Sequence, residues 1–508
     1  SEQTAPLKHS IGKRESIHVM PRKKSGFIQT IKTRCRNIRF AVRSMLHRGA
    51  DVIHNIAEFL MVISGIAALT CIVCLVIHVG YEHSPQGFET ISRILRAMQW
   101  IFGANVIFGL TFNLAETLKK NRWLKWTVDI ALLVSLLPVI YPRPIHPWIP
   151  WLESVLYSPV FLNTVLVAYS IVTLSYAVFR MVDRRTNPSL LLSMSFLVFI
   201  ILGTFLLMLP KSTVGGIDFM DAFFVSTSAV CVTGLTTVDV PTTFTPLGLA
   251  ILAMLIQFGA LGVMTFTSFF ALFFSGSASI YSQLILRDVI YSRSMNSLIP
   301  TLLYIMAFTI GIEIFGALLI FASVHGTLDM DIEQEIVFAA FHSLSAFCNA
   351  GFSNLPGGMS NPLLLHHNIS IYWIMTMLII AGSIGFPILV NTKDAFVSYI
   401  RGFLNRLHGK RMKMRAVHQF NMNTKIVLFT FMLLFVAGTV LFFVLEYSNS
   451  LRGMTLMEKI TQSVFNSAVP RSAGFSSVNP DGFLNVTLVM ILFLMWAGGG
   501  SQLSLIHI

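Results

Sequence analysis

Three short polar segments in the second half of the chain have the residue types expected of a cation site built from backbone oxygens. They read DFMDAFFVSTSAVCVTGLT, EIVFAAFHSLSAFCNAGFS and EKITQSVFNSAVPRSAGFS, and when aligned on Gly234, Gly351 and Gly474 each has an acid sixteen residues earlier. The glycines lie 117 and 123 residues apart, which indicates an internal repeat. Glycine reaches backbone angles that other residues adopt poorly, so successive carbonyls can face one point.

Carbonyl oxygens arranged in this way replace the water shell of a cation. We call such a set of ion-binding backbone oxygens a filter. The residues predicted to form it are Val232, Thr233, Gly234, Asn349, Ala350, Gly351, Ser472, Ala473 and Gly474. The acids Asp218, Glu335 and Glu458 are predicted to lie at the start of a short helix before each filter segment. A helix dipole favours negative charge there, and its negative C-terminal end would face the cation.

The spacing also limits the elements that can position these segments. About twelve to fourteen residues separate each acid from its glycine, enough for a helix that crosses half a membrane at about 1.5 Å per residue. Extended backbone at membrane depth is tolerated only inside protein or along a water-filled path. We therefore predict a repeated unit of span, pore helix, filter loop and span around a pore.

The composition is that of a membrane protein, because 54% of the 508 residues are apolar and only 12% are charged. The ten predicted spans lie near 56–78, 94–112, 128–141, 159–179, 190–208, 247–274, 302–321, 371–390, 425–445 and 485–496. The predicted fold is an all-α polytopic membrane protein in which an N-terminal four-helix accessory bundle precedes the repeated units. A voltage sensor is disfavoured there because the fourth span contains no Arg or Lys.

These patterns divide the chain into five parts. They are a basic cytoplasmic arm (1–54), a four-span accessory region (55–186), pore unit 1 (187–297), pore unit 2 (298–422) and an incomplete pore unit 3 (423–508), with a fourth unit absent.

The formal net charge of +13 does not require a nucleic-acid partner, because the basic residues cluster in alternate loops as the positive-inside rule predicts. The arm from Lys8 to Arg48 and the run from Arg401 to Arg415 are two such clusters. Loops on the opposite side, such as Tyr81 to Glu89, are neutral or acidic. We predict a multi-pass protein in a lipid bilayer with a cytoplasmic N-terminus and no nucleic-acid binding.

The stretches FFVSTSAVCVTGLTTVDV, FHSLSAFCNAGFSNLPGGM and NSAVPRSAGFSSVN resemble the first three selectivity-loop motifs of the Trk/Ktr/HKT superfamily of potassium-transport membrane subunits. LIQFGALGVMTF and LIIAGSIGFPIL are similar to the glycine-bearing second helices of that family. The resemblance implies uptake of potassium, and in some members sodium, with K+ at the filter carbonyls and no cofactor in the chain. It also implies a bacterial inner membrane, a homodimer and a cytoplasmic nucleotide-binding regulatory subunit.

Two further expectations come from the same resemblance. Arg471 should lie behind the third filter loop and brace it. A fourth loop would be expected beyond Ile508, and the run LMWAGGGSQ followed by LSLIHI departs from the family pattern. We expect a truncated reading frame with a non-native tail, Leu503 to Ile508; the alternative is a complete chain paired with another polypeptide that supplies the last unit.

Other functions were weighed against the pore. A secondary transporter with midplane sites in repeated units stays open, as does a non-conducting fragment. Enzymatic activity is not predicted, because the sequence has no nucleophile elbow, P-loop or H-E-x-x-H motif. Glu313, an acid within a span, is predicted to form hydrogen bonds that pack the units together, with ion binding as the alternative. His342 is predicted to be a structural hydrogen-bonding residue rather than a metal ligand.

Overall fold

The computed structural model describes residues 55–82, 84–112, 123–141, 154–182, 188–261, 298–328, 330–384 and 422–497. The chain divides after Val62 into two compact units. Of the first unit, Ser1–Val62, only the start of one helix is described. The second unit, Ile63–Ile508, contains every contact discussed below.

Helices make up nearly all of the described chain. In the N-terminal part they are α1 (Asn55–Gly80), α2 (Pro85–Phe112), α3 (Trp123–Ser135), a short helix (Leu137–Ile140) and α4 (Pro159–Val182). They continue with α5 (Pro188–Leu207), α6 (Phe219–Val230), a short helix (Val240–Thr243), α7 (Pro246–Leu261), α8 (Leu298–Val324), α9 (Ile332–Phe347), a short helix (Pro362–His367) and α10 (Ile369–Ile384). The last are α11 (Met422–Glu446), α12 (Leu456–Ala468) and α13 (Asn485–Ala497), with 3-10 turns at Gly358–Ser360, Val469–Arg471 and Pro480–Gly482. The described residues contain no strand, and one antiparallel bridge pairs Thr213 with Phe244.

A helix lies at each of the ten positions where the sequence predicts a span. By length and composition, α1, α2, α8 and α11 can cross a membrane, and the other positions hold shorter apolar helical segments within the described residues. The fourth helix, α4, continues past the predicted end at residue 179 as far as Val182, so it includes Arg180. The all-α class is therefore confirmed.

Several predictions fall outside the described residues. They concern the basic arm (1–54), most of the loops predicted to be cytoplasmic, the ends of the sixth and eighth predicted spans (262–274 and 385–390) and the tail Leu503 to Ile508.

Three similar units follow one another from α5 onward, and we call them repeats 1, 2 and 3. Each has a first helix, a short helix and a second helix that pack together: α5, α6 and α7; α8, α9 and α10; α11, α12 and α13. The first helices expose large apolar side chains, since Phe205 is 61%, Phe315 62% and Phe429 71% exposed. Exposed apolar surface on this scale indicates contact with lipid.

The N-terminal helices have a core of their own. It contains Ala68 from α1, Phe102 from α2, Leu132 from α3 and Leu166 from α4, all fully buried. The Gln99 side-chain amide donates to the Ser135 carbonyl at 2.7 Å and so links α2 to the end of α3. This core holds the four helices together without any residue from the repeats.

A buried carboxylate joins the two long helices of repeat 3. Glu446, at the end of α11, is fully buried and accepts hydrogen bonds from the Thr487 hydroxyl at 2.6 Å and the Leu484 N–H at 2.9 Å. Its second oxygen accepts from Asn449 at 2.8 Å and from the Ser450 hydroxyl at 2.7 Å. A buried carboxylate is stable only when its oxygens are paired in this way.

Replacing Glu446 by Gln should therefore destabilise the protein. The amide nitrogen cannot accept a hydrogen bond, so two of the donors around it lose a partner, at a cost of about 1–3 kcal/mol. The apparent unfolding midpoint of the purified protein in detergent should fall. The matched control is Glu333→Gln, the same change at an exposed position in the first turn of α9. Equal midpoints for the two variants would contradict this assignment.

Candidate functional site

The three glycine segments predicted from the repeat meet one another. A Cβ atom placed on Gly234 would strike the Ala350 carbonyl oxygen, and one placed on Gly351 would lie 2.5 Å from the Ala473 carbonyl oxygen. On Gly474 it would lie 3.4 Å from the Thr233 carbonyl oxygen. Each glycine thus faces the carbonyl that precedes the glycine of the next segment. At Gly234 and Gly351 only a residue without a side chain fits this approach, whereas the distance at Gly474 is an ordinary contact.

The backbone of all three glycines is left-handed, with φ of +84° at Gly234, +75° at Gly351 and +72° at Gly474. Two other filter residues share this conformation, because Val232 has φ of 55° and Asn349 has φ of 58°. A positive φ at a β-branched residue is rare, so Val232 holds real backbone strain. At the matching position of repeat 3, Ser472 is not left-handed, since its φ is −167°.

The left-handed residues at 232 and 349 close the short helices α6 and α9. The Thr233 N–H donates to the Ser228 carbonyl at 2.7 Å, and the Ala350 N–H donates to the Ser345 carbonyl at the same distance. This is the hydrogen-bond pattern of a Schellman motif, which usually has glycine where Val232 stands. Repeat 3 instead passes from α12 into a 3-10 turn at Val469–Arg471. The segments of repeats 1 and 2 therefore leave their helices alike, and that of repeat 3 differs.

A packing contact that the sequence analysis missed holds each short helix against its first helix. Ser226 of α6 donates to the Ile200 carbonyl at 2.8 Å, and the equivalent bonds are Ser343 to Glu313 at 2.7 Å and Ser467 to Phe435 at 2.9 Å. In each repeat a glycine of the first helix follows the accepting residue by three positions. The serine hydroxyl and a leucine side chain of the second helix both lie against this glycine. The three sets are Gly203, Ser226 and Leu255; Gly316, Ser343 and Leu378; and Gly438, Ser467 and Leu494.

Asn349 also links two filter segments. With its amide oriented so that both ends have partners, the nitrogen donates to the Ile379 carbonyl at 3.1 Å and to the Ser472 hydroxyl at 3.2 Å, and the oxygen accepts from the Ser383 N–H at 3.0 Å. Ser472 belongs to the third segment, so this side chain ties the second segment to the third and to α10.

The structure buries Arg471 against α11. Its Nη1 donates to the Phe431 carbonyl at 3.0 Å, and the guanidinium lies 3.7 Å from the centre of the Phe431 ring. The carbonyl and the ring face both favour a cation, so the charge is held by the helix beside the filter segment.

The three acids lie at the starts of the short helices. Asp218 is the N-cap residue of α6, and Glu335 is in the first turn of α9. His325 Nδ1 lies 2.8 Å from Glu335 Oε2, the Gly326 N–H donates to Oε1, and these two contacts hold the pKa of this carboxyl below its ordinary value. Glu458 forms a capping box with Thr455, whose N–H donates to the carboxylate at 2.7 Å. Glu458 thus caps the start of its own helix, whereas Glu335 ties the first turn of α9 to the residues that follow α8.

Two other residues singled out from the sequence have hydrogen-bonding partners close to the glycine segments. His342 is fully buried between the Phe338 carbonyl and the Ser353 hydroxyl. Glu313 accepts a weak hydrogen bond from the Cys348 thiol at 3.6 Å, and the same thiol lies 3.6 Å from Gln257 Oε1. Gln257, on α7, was not singled out, and it joins repeat 1 to repeat 2 at this point. Among the described residues, no group of His, Cys, Asp and Glu could hold a metal ion.

The described helices include several that are long and apolar enough to cross a membrane. Three similar units also bring their glycine segments together. These features are typical of a polytopic membrane transport protein. Residues 157–504 match the family described as "TrkH: Cation transport protein". The chain belongs to this family, whose members transport cations and are not enzymes.

Individual relatives are similar over the same region. "Ktr system potassium uptake protein B" of Bacillus subtilis is 30% identical over 319 residues, covering 62% of this chain and 66% of the relative. "Potassium/sodium uptake protein NtpJ" of Enterococcus hirae is 30% identical over 325 residues, covering 63% of this chain and 67% of the relative. The crystal structure of the potassium transporter TrkH from Vibrio parahaemolyticus aligns with a TM-score of 0.44 and 18% identity over 73% of this chain and 69% of that one. The chain thus spans about two thirds of the length of the curated relatives it matches.

The contact between Gly316 and Ser343 predicts that two Gly-to-Ala substitutions on α8 have unequal effects on stability. In Gly316→Ala the new methyl group would meet the Ser343 hydroxyl and lie 2.8 Å from Leu378, which displaces the serine from its hydrogen bond. Overpacking of this kind costs about 1–3 kcal/mol. The apparent unfolding midpoint in detergent should therefore fall.

The control lies five residues away on the same helix. A Cβ atom on Gly311 would meet nothing within 4 Å, so Gly311→Ala should leave the midpoint unchanged or raise it, because Ala favours a helix over Gly by up to about 1 kcal/mol. A Gly316→Ala variant as stable as Gly311→Ala would show that this contact does not hold the short helix.

Proposed function

We propose that the chain is the membrane subunit of a potassium uptake system and that K+ passes between the three glycine segments. The approach of each glycine to the carbonyl of the next segment is the observation that carries this proposal. The carbonyls from Val232 to Gly234, Asn349 to Gly351 and Ser472 to Gly474 would replace the water shell of the ion. The potassium names of the relatives from Bacillus subtilis and Enterococcus hirae support the choice of ion.

The short helices would add to the attraction for a cation. The helix α6 ends at Val230 and α9 ends at Phe347, each four residues before its filter glycine. The negative end of each helix dipole is therefore close to the ion path, and the acids occupy the positive end. Arg471 is compatible with this field because Phe431 holds its charge on α11.

Sodium is the second candidate ion. One relative has a printed name that includes both potassium and sodium, and a glycine stands in each of the three described filter segments of this chain. Potassium stands in the printed names of both relatives, and sodium stands in only one of them. We therefore place potassium first and sodium as a second cargo.

The assembly and its location complete the proposal. We infer a multi-pass protein in a bacterial inner membrane with its N-terminus in the cytoplasm, acting as a homodimer together with a cytoplasmic nucleotide-binding regulatory subunit. The basic loops predicted on the cytoplasmic side would face that subunit.

A secondary transporter with separate midplane sites is less well supported. In such a protein the repeated segments bind substrate within broken helices and need not meet one another. Here all three segments lie within contact of a neighbouring segment.

Growth of a potassium-uptake-deficient bacterium at low external potassium tests the function. The complete gene should restore growth, and Gly351→Ala should abolish the rescue, because its methyl group would lie 2.5 Å from the Ala473 carbonyl oxygen and push the second and third segments apart.

The matched control is Gly326→Ala. Gly326 has φ of +74°, close to that of Gly351, but a Cβ atom there would meet nothing within 4 Å. Both variants therefore carry the same backbone strain, of about 1 kcal/mol, and only one of them blocks the filter. Rescue by Gly351→Ala at the level of Gly326→Ala would contradict a pore between these glycines, and a complete gene that restores growth on no alkali cation would contradict the proposed function.

A further inference from the structure

The end of α9 in repeat 2 is linked to repeat 1 by a contact between three polar side chains. Cys348 directly follows α9 and directly precedes the filter residue Asn349, and its side chain is buried. Its Sγ lies 3.6 Å from Gln257 Oε1 on α7 and 3.6 Å from Glu313 Oε1 on α8. Gln257 and Glu313 also interact with each other. We call these three side chains the junction contact.

The surroundings of the junction contact are apolar. Cys348 belongs to the same buried core as Val230, Leu255 and Ile256 of repeat 1. Polar side chains in such surroundings have few partners except one another, because apolar packing excludes water. A thiol has one hydrogen and donates it weakly, so the two oxygens share a single donor. The thiol therefore bridges α7 and α8 at the point where the second filter segment begins.

The helix α7 also packs against the end of α6. A Cβ atom on Gly259 would strike the carbonyl of Val230, which is the last residue of α6. Gln257 stands two positions before Gly259, so one turn of α7 contacts the end of α6 and reaches the end of α9. The first and second filter segments begin just after these two helix ends, at Val232 and Asn349. A change in the junction contact would therefore change the distance between the two segments.

The position of Cys348 has a different role in each repeat. Three residues before the filter glycine, repeat 1 has Cys231, repeat 2 has Cys348 and repeat 3 has Arg471. Cys231 is exposed, and Arg471 contacts Phe431 of its own repeat. Repeats 2 and 3 are linked by another side chain, the Asn349 amide. In repeat 2 this position thus joins two repeats.

We propose that Gln257 and Glu313, acting through Cys348, are positioning residues that set the preference of the filter for K+ over Na+. The inference rests on the proposed function, because it concerns the spacing of the same filter segments. Carbonyl oxygens replace the water shell of the ion, and a smaller ion gains more when those oxygens can move inward. The junction contact resists this movement between the first and second segments. Its loss should admit Na+ more readily without removing the filter.

Uptake selectivity in potassium-uptake-deficient cells tests the inference. Cells carrying the complete gene are given K+ or Na+ at equal concentration, and uptake by cells without the gene is subtracted. The readout is the ratio of the two initial rates, because a loss of folded protein lowers both rates and leaves their ratio unchanged. Cys348→Ala removes the donor and should lower the K+/Na+ ratio by roughly three- to tenfold. Cys348→Ser keeps a donor and should stay within about twofold of wild type.

A second variant changes the contact from the side of repeat 1. Gln257→Leu has a similar volume but no polar group, so it should also lower the ratio. Combined with Cys348→Ala it should lower the ratio no further than the larger single effect, because both changes remove one contact. The matched control is Cys231→Ala, the same change at the same distance before the filter glycine of repeat 1, which should leave the ratio unchanged.

A lower ratio in Cys348→Ala and Gln257→Leu, with Cys348→Ser and Cys231→Ala close to wild type, supports the inference. An unchanged ratio in Gln257→Leu, shifts that add in the double variant, or an equal shift in Cys348→Ser or Cys231→Ala overturns it and leaves the proposed function intact. If Cys348→Ala does not accumulate in the membrane, Gln257→Leu and Cys231→Ala decide by themselves. A wild type that carries K+ and Na+ alike overturns the inference alone, and a wild type that carries no alkali cation overturns the proposed function as well.

Discussion

Backbone N–H and C=O groups outside a helix need partners within the protein at membrane depth, because hydrocarbon offers none. The three segments after α6, α9 and α12 are non-helical, and the rest of the structure can be understood from the way their polar groups are covered. In repeats 1 and 2 a left-handed residue turns the first free N–H groups back onto the helix end. The carbonyl oxygens of Thr233, Ala350 and Ala473 each lie against the glycine of a neighbouring segment. We propose that a dehydrated cation uses these oxygens.

The short helices must be held firmly for such a site to keep its geometry, since a shift of one helix would move a whole row of carbonyls. The serine that bonds to a carbonyl of the first helix provides this in all three repeats. Each bond is modest by itself, at about 1 kcal/mol, but the glycine beside it lets the helices approach closely and the leucine covers it. The serine hydrogen bond therefore sets the position of each short helix, and close packing of the glycine and the leucine stabilises that position.

Much of this arrangement could be predicted from sequence because it depends on periodic features. The helices at the ten predicted spans follow from the length of the apolar stretches. The segments around Gly234, Gly351 and Gly474 follow from a spacing that only a structural repeat produces. The serine contact could not be found in this way. Ser226 and Ser343 stand eight residues before their glycines but Ser467 stands seven before its own, so an alignment on the glycines separates equivalent residues.

Other features depend on contacts that no spacing encodes. Val232 adopts a left-handed conformation against its intrinsic preference, so local propensity predicts the wrong backbone there. The pairing of Gln257 with Cys348 joins residues 91 positions apart.

The central claim is that a cation binds where the three glycine segments meet. Anomalous diffraction from crystals of the complete protein grown in Rb+ or Tl+ measures this directly, because both ions substitute for K+ and scatter strongly. The account predicts an anomalous peak bounded by the carbonyls of Thr233, Ala350 and Ala473. Peaks found only elsewhere in the protein, with none between these carbonyls, would contradict it.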